Sequence, residues 1–387
     1  MMTHLQLDET ELNRAGAFWT AREIAQQPAS WLRTQELLRA HAKQIAGFLD
    51  PLLAKQDLRI ILTGAGSSAF IGECLEPLLL NRLHRRVEAI ATTDLLSGPL
   101  QYFQRDVPTL LVSFGRSGSS PESIAAVELS ETLLRECHQL VFTCNEQGTL
   151  YRRCREAPNS LAILLPPETH DQSFAMTSSF TSMMLAALLV FDGEDRGGVI
   201  ASVPHIARAA QTLMDQHSAT LRDIAAESYS RVVYLGSNGF KALAREAALK
   251  LMELTDGKVV SAFDSPLGFR HGPKTIVTGD TLLYVFMSND SYTRRYDLDL
   301  LRELRRDGLA GRVIAITART GDSVAEGDYL HVPHAAEARD GELHFPYIVC
   351  GQLYAFYRSL AVGNTPDQPS NSGTVSRVVS GVTIHPL

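Results

Sequence analysis

The chain repeats itself, and the repeat restricts the folds open to it. Four short apolar runs, Leu58–Thr63, Pro108–Ser113, Gln139–Thr143 and Leu161–Leu165, end near Gly64-Ala65-Gly66, Gly115, Asn145 and Pro166. Helix-length segments lie between them. The rhythm returns with Arg231–Leu235, Thr281–Phe286, Arg312–Thr317 and Tyr329–Val332. Gly236 follows Gly64 by 172 residues, Thr317 follows Thr143 by 174, and Pro333 follows Pro166 by 167. Continuous apolar runs between helices predict parallel strands covered on both faces. A repeat of this period predicts two α/β domains of one topology. The expected architecture is two tandem doubly wound parallel sheets, with ligands at the carboxyl ends of the strands. The first fifty residues read as helices. Thr20 and Glu23 have capping-box spacing, Pro28 breaks the pattern, and a second helix is expected from about Ser30. The domains are therefore placed at 1–50 (helical), 51–214 and 215–387.

Composition narrows the function. A chain of 387 residues with 45% apolar and 20% charged residues is globular and of two- to three-domain length. Its 36 basic against 43 acidic side chains leave a net charge of −7. Such a chain is a poor bulk binder of nucleic acid or anionic membrane, so any anion must be held locally. Cysteines 74, 137, 144, 154 and 350 include no C-x-x-C pair, which argues against zinc ribbons and disulfide frameworks and fits a reducing compartment. The start, Met1 to Glu11, is polar and does not read as a secretory signal. The longest useful apolar run, Met183 to Phe191, has nine residues, far short of the ~20 that span a bilayer. A cytoplasmic location is expected.

Two loops suit a phosphate. Gly64-Ala65-Gly66-Ser67-Ser68 follows a predicted strand and precedes a predicted helix, where backbone N–H groups favour anions. Its loose G-x-G-x-x-A spacing is also compatible with an empty tight turn or a dinucleotide site. The second loop, from Ser113 to Ser123, packs five serines, two glycines and Arg116 into eleven positions. Hydroxyls and loop amides can bond every oxygen of one phosphate, and Arg116 adds a fork of charged donors. Two serine-rich turns fit a phosphomonoester better than a pyrophosphate. Gly66, Ser67, Ser68, Ser113, Arg116, Ser117, Ser119 and Ser120 are the candidate phosphate ligands. Thr177 to Thr181 reads as a helix cap at the edge of the same crevice.

Proton-moving groups cluster later. Glu246, Lys250 and Glu253 share one face of the helix expected over about Lys241 to Thr255. The bland alternative is a solvated salt-bridged stripe; the functional one places Glu253 over the crevice as a general base. His271 lies between Arg270 and Lys274, before Gly272-Pro273, in a loop suited to acid–base work. His170 is the second choice. No H-E-x-x-H, Walker loop or G-x-S-x-G elbow occurs, so neither metal nor cofactor is expected.

These marks together resemble the sugar isomerase (SIS) family of phosphosugar isomerases and binders, whose domains are flavodoxin-like. The resemblance runs from about residue 45 to the end. It is carried by TGAGSS, SFGRSGSSPES, EAALKLMEL, FRHGPK and GNTPDQPS. The added TTDLLSGP and HDQSFAMTSS segments resemble the branch acting in galactosamine catabolism. The resemblance implies that Ser68 and the Arg116-Ser117-x-x-Ser120 stretch hold a sugar phosphate. It implies that Glu253 shuttles a proton between C1 and C2, that Lys250 lines the sugar site and that His271 assists ring opening. In synthase-like members this histidine comes from the partner subunit, which implies at least a homodimer. Those members carry a tail lysine where this chain has Ser380. A tail imine is therefore not expected, and Arg377 is a possible tail contact.

The expected activity is deamination and isomerisation of galactosamine 6-phosphate to tagatose 6-phosphate and ammonia. The alternatives are a tagatose-6-phosphate ketose/aldose isomerase and a phosphosugar sensor without turnover. A nicotinamide-dependent dehydrogenase rests on the glycine spacing alone, with Glu88 beside Arg85 and Arg86 as its ribose acid.

Overall fold

The computed structural model describes residues 3–192, 202–379 and 381–387. Contacts gather the chain into two compact units. One comprises Ser30–Asp171, Ser178–Val199 and Val375–Leu387; the other comprises Met1–Ala29, Gln172–Thr177 and Ile200–Thr374.

The first unit is built on a sheet of β1 (Arg59–Thr63), β2 (Arg86–Ala89), β3 (Thr109–Gly115), β4 (Cys137–Thr143) and β5 (Ser160–Leu164). All neighbours are parallel and the order is β2-β1-β3-β4-β5. The second unit holds β6 (Arg231–Gly236), β7 (Val260–Asp264), β8 (Thr281–Phe286), β9 (Arg312–Thr317) and β10 (Tyr329–His331). These are also parallel, in the order β7-β6-β8-β9-β10. The two orders are the same, and each reverses direction at its first strand, as in doubly wound sheets. Register repeats as well. Arg59 pairs with Thr109, and Arg231 with Thr281, both displaced by 172 residues.

All eight apolar runs are strands. Of the four strands that sequence patterning missed, β2 and β7 lie at sheet edges, and Thr3–His4 with Leu7–Asp8 form a short antiparallel ribbon within the stretch expected to be helical. An edge strand is short and partly wetted, so Arg86–Ala89 (RVEA) carries charge rather than a continuous apolar run.

Each sheet is covered on both faces. In the first unit Ile61, Leu111 and Val141 pack with Ala126, Val127 and Leu150. Helices Ser67–Leu83 and Ser178–Asp192 pack on one another. The latter contains the Met183–Phe191 run and is buried on nearly every side, which is why it carries no amphipathic pattern. In the second unit Leu235, Leu283 and Val285 pack with Leu300, Leu301 and Leu304. Tyr234 and Tyr284 stack at 5.4 Å, with Tyr354 edge-on to Tyr284 at 5.3 Å. Tyr347 stacks on Phe286 at 5.8 Å, and its hydroxyl donates to the Met287 carbonyl.

The amino-terminal helices correct two expectations. Thr20 and Glu23 do not form a capping box, because both lie inside helix Phe18–Ala25. The cap comes from the far end of the chain. Asp367 accepts the Trp19 and Thr20 N–H groups and the Thr20 hydroxyl at 2.8–3.1 Å. Glu23 is buried and accepts the Gln172 and Ser173 N–H groups and the Ser173 hydroxyl. Pro28 stands in the first turn of helix Gln27–Ala40, where a missing N–H costs nothing, so it starts a helix rather than breaking one.

Asp367→Ala removes this cap. It is expected to lower stability by ~1–2 kcal/mol, measured as a drop in thermal midpoint. An unchanged midpoint would show that the contact is dispensable.

Candidate active site

The carboxyl ends of β1 and β3 lie side by side, Thr63 paired with Ser113. The chain leaves them toward opposite faces, so the Gly64–Ser68 and Ser113–Ser123 loops meet at the crevice of the first sheet. Gly64 is obligatory there. A Cβ would stand 2.6 Å from the Ser68 backbone. Gly66 has φ +57°, a left-handed conformation that suits glycine. Helix Ser67–Leu83 begins directly on this turn and helix Pro121–Leu133 on the next loop, with Pro121 in the first turn. Neither N-cap residue, Gly66 nor Ser120, caps its helix through its own side chain. Two helix amino termini therefore present N–H groups and positive dipole ends at one crevice.

The candidate phosphate ligands differ in setting. Ser67, Ser68, Ser113 and Arg116 are buried, Ser117 and Ser120 half-buried, and Ser119 exposed. The Ser113 hydroxyl has no hydrogen-bond partner among the described residues; neither do those of Thr63 and Thr92. Sequence patterning did not single out Thr63, although a threonine ending a buried strand just before a glycine turn was a visible signal; Thr92 opens helix Thr92–Ser97 within the TTDLLSGP segment. The loop is braced from below. The Thr143 hydroxyl donates to the Gly115 carbonyl at 2.7 Å, and the Asn145 amide to the Ser117 carbonyl at 2.9 Å. Ser119 accepts the Thr149 N–H at 3.2 Å, while Ser120 donates to Ser123 at 2.7 Å.

Cations gather beside the loop. Arg116 donates to the Arg377 carbonyl at 2.7 Å, and Arg377 donates to the Asp171 carbonyl. His170 has its pKa lowered by burial and by the positive charges of Arg377 and Arg116. The Asp171 carboxylate accepts the Ser179 N–H at 2.9 Å and the Ser178 and Ser179 hydroxyls. It thus supplies the cap of helix Ser178–Asp192 that the serines were expected to provide. Ser380 lies outside the described residues. Glu88 is held by Arg59 and Arg86 at 2.5 and 2.9 Å, so it is no ribose acid, and the strand order is not that of a dinucleotide-binding fold.

The second sheet repeats the turn with different chemistry. At Gly236 a Cβ would meet the Phe240 carbonyl at 2.5 Å, and Asn238 takes φ +53° where the first copy has Gly66. The positions of Ser67 and Ser68 are occupied by Gly239 and Phe240, and that of Arg116 by Ser288. Carboxylates fill the crevice. Asp297 accepts the Ser237 hydroxyl at 2.5 Å and the Ser288 N–H at 2.9 Å. Asp340 accepts the Ser288 hydroxyl at 2.5 Å and the Asn289 N–H at 2.8 Å. These donors, which a phosphate would need, are already taken by fixed negative charge.

Lys250 is the most unusual residue of the second unit. Its side chain is 1% exposed, with its ammonium 2.5 Å from Glu253 and 3.5 Å from Glu246, which is 0% exposed. The solvated stripe is therefore excluded. Only Glu253, 23% exposed, reaches toward solvent. A buried lysine between two carboxylates is costly to desolvate, and such clusters concentrate at functional sites. Glu246, the deepest member, was visible in the i, i+4 spacing but not its burial.

Topology separates Glu253 from two expected neighbours. Helix Gly239–Leu254 starts at the carboxyl end of β6 and runs back along the sheet, so Glu253 lies about 20 Å from that end at 1.5 Å per residue. It is not over the crevice of its own sheet. Ser261 donates to the Ala248 carbonyl at 2.7 Å, and Lys241 pairs with Asp264 at 3.5 Å, so helix and β7 run antiparallel. Glu253 lies before the start of β7 and His271 beyond its end. His271 is exposed. Its neighbours Arg270 and Lys274 are both tied to Glu303, Arg270 at 2.9 Å, and Lys274 also to Asp307 at 2.5 Å.

A family model described as the SIS domain matches residues 52–192 and 227–362. The chain is 48% identical to an Escherichia coli protein named D-galactosamine-6-phosphate deaminase AgaS, over 95% of this chain and 96% of that one. A protein of the same name from Shewanella sp. is 44% identical over 100% of this chain and 96% of its own. The crystal structure of tagatose-6-phosphate ketose/aldose isomerase from Escherichia coli superposes with a TM-score of 0.89 at 45% identity, covering 95% and 96% of the two chains.

Burial raises the Asp297 pKa to about 6, against the pull of its hydrogen bonds. Its folded pKa lies above the unfolded value of ~3.9, so its contribution to stability is largest below pH ~4 and is lost as pH rises through 6. Asp297→Asn keeps an acceptor for Ser288 without the charge. The stability difference, variant minus native, is expected to grow between pH 4 and 7 by on the order of 1–3 kcal/mol, read from denaturant midpoints. A difference independent of pH would contradict the assignment.

Proposed function

We propose, from the premise that this chain belongs to the SIS domain family, that it is a phosphosugar deaminase/isomerase converting galactosamine 6-phosphate and water to tagatose 6-phosphate and ammonia. The observation that carries this reading is 48% identity over 95% of the chain to a protein named for that deaminase activity. The geometry supports the chemistry. Gly66, Ser67, Ser68, Ser113, Arg116, Ser117 and Ser120, with the two helix amino termini, hold the phosphate, and Ser119 braces the loop. Phosphate binding remote from the reacting carbons supplies orientation.

Glu253 takes the proton from C2 of the open-chain amino sugar and returns it to C1. The electron pair of the C2–H bond forms an enolamine, and reprotonation at C1 leaves a ketimine at C2. Water adds to that carbon and ammonia leaves, giving the ketose. One carboxylate serves both proton steps. Lys250 supplies a fixed positive charge beside that carboxylate and opposes the negative charge developing on the sugar. His271 assists ring opening. Its separation from Glu253 along β7 supports the reading that the histidine serving each site comes from a second copy, hence an assembly of at least two chains. The enzyme is further read as cytoplasmic. All five cysteines are free thiols, and among the described residues no helix is long and apolar enough to cross a membrane. The similarity to a tagatose-6-phosphate ketose/aldose isomerase favours, as a second reading, the same proton shift without loss of nitrogen.

Ammonia release from galactosamine 6-phosphate, beside glucosamine 6-phosphate and the N-acetylated sugar, separates the two. Ammonia with tagatose 6-phosphate supports the deaminase; interconversion of tagatose 6-phosphate with its aldose and no ammonia moves the function to the plain isomerase. Glu253→Gln is expected to lower kcat by ~10²–10⁴-fold with phosphosugar binding retained, and normal turnover would place the base elsewhere.

Arg116→Ala with Ser117→Ala is expected to weaken binding of phosphorylated sugars by roughly 10- to 100-fold. Binding of the free sugars should not change. Equal losses for both, by calorimetry, would remove the phosphate assignment.

A further inference from the structure

An α-helix leaves its last four carbonyls without partners inside the helix. In helix Gly239–Leu254 all four are satisfied, three of them locally. The Leu251 carbonyl accepts the Thr255 N–H at 3.1 Å and the Thr255 hydroxyl at 2.7 Å. The Met252 carbonyl accepts the Gly257 N–H at 2.9 Å, and the Glu253 carbonyl the Asp256 N–H at 3.1 Å. The fourth is satisfied from far along the chain. The Leu254 carbonyl accepts the Ser359 hydroxyl at 2.5 Å and the Asn364 amide at 2.9 Å, from 105 and 110 residues further on.

Asn364 is 5% exposed and its amide is fully used. Its second hydrogen goes to the Pro369 carbonyl at 3.2 Å, and its oxygen accepts the Asn371 amide at 3.0 Å. Asn371 also donates to the Asp256 carboxylate at 2.8 Å. The segment Asn364–Asn371 thus grips both the last carbonyl of the helix and the turn that follows it. Glu253 sits one residue before that carbonyl. Its side chain is the partly exposed member of the Lys250 cluster, so the pose of the last turn sets where its carboxylate lies. Local bonds already close this end in a Schellman-type turn, with Asp256 in the left-handed position at φ +50° and Gly257 after it at φ +72°. The two buried donors on Leu254 add a fixed position.

We propose that Asn364, assisted by Ser359, is a positioning residue for proton transfer, holding the last turn of the helix so that the Glu253 carboxylate stays against Lys250 and in reach of the sugar. This rests on the reading that Glu253 moves the proton. Misplacing a reacting group by a fraction of an ångström to an ångström lowers the chemical step without loosening remote binding.

The test uses the full chain with Asn364→Ala, Asn364→Asp, Ser359→Ala and, in parallel, Glu253→Gln. Rates are taken at least 10 degrees below each variant's thermal midpoint, with galactosamine 6-phosphate as substrate and product formation followed across pH. Asn364→Ala is expected to lower kcat by ~10- to 100-fold with KM within about twofold, and to shift the pH profile of kcat/KM. Asn364→Asp keeps the shape but points a carboxylate at a carbonyl, so it is expected to lose at least as much. Ser359→Ala, which leaves one donor, is expected to lose less. Three outcomes overturn the proposal. If both Asn364 variants turn over at the native rate while Glu253→Gln is inactive, the positioning role fails and the base stands. If kcat falls but the pH profile does not move, the contact is structural only. If Glu253→Gln itself turns over normally, the proton-transfer reading and this proposal fall together.

Discussion

Both sheets depend on one backbone approach. Where β1 and β6 end, the chain turns so tightly into the next helix that a Cβ on Gly64 or Gly236 would lie 2.5–2.6 Å from backbone or Cβ atoms four residues on. A glycine there allows the helix to start against the strand end, which leaves backbone N–H groups facing a concavity. The left-handed residue two positions later, Gly66 or Asn238, completes the turn in each copy. The same two conformational demands, displaced by 172 residues, are the clearest physical trace of the repeat.

The copies diverge in what lines that concavity. In the first, serine hydroxyls, a buried arginine and two helix amino termini line it. In the second, Asp297 and Asp340 occupy the equivalent donors, and Phe240 fills the place of a serine, 4.8 Å from His344 and 5.3 Å from Tyr347. A phosphate entering there would meet two carboxylates and find the amides already bonded. One fold therefore carries two differently lined turns, and only the first keeps the donors that the proposed phosphate site needs.

The second copy also carries the Lys250 cluster. An ammonium at 1% exposure survives because two carboxylates of the same helix flank it, one buried and one at the surface. Replacing all three by apolar groups would cost the fold little, since buried ion pairs rarely outdo a well-packed apolar core. Under the proposed function the cluster sets a carboxylate beside a fixed cation, the arrangement that abstraction of a proton alpha to a carbonyl calls for. Its geometry depends on residues remote in sequence: Ser359 and Asn364 fix the end of the helix, as Asp367 fixes the start of another.

Much of this was legible in the residues alone. The eight apolar strands, the serine-rich loops and the shared face of Glu246, Lys250 and Glu253 follow from local rules, because strand burial, turn conformation and helical period are all imposed within a few residues. The edge strands β2 and β7 were not legible, since a strand wetted on one side has no continuous apolar signature. Thr20-x-x-Glu23 misled for a related reason: a carboxylate 347 residues away took the helix end instead. Sequence by itself thus determined the repeat, the strand ends and which strand-to-helix loops are rich in serine and glycine. Only the tertiary structure decided that Glu246 and Lys250 are buried while Glu253 reaches the surface, that Glu253 lies at the far end of its helix from the crevice of its own sheet, and that His271 sits at the opposite end of β7. Burial and the direction in which a helix runs back along its sheet are set by packing against distant segments, and no local spacing encodes them.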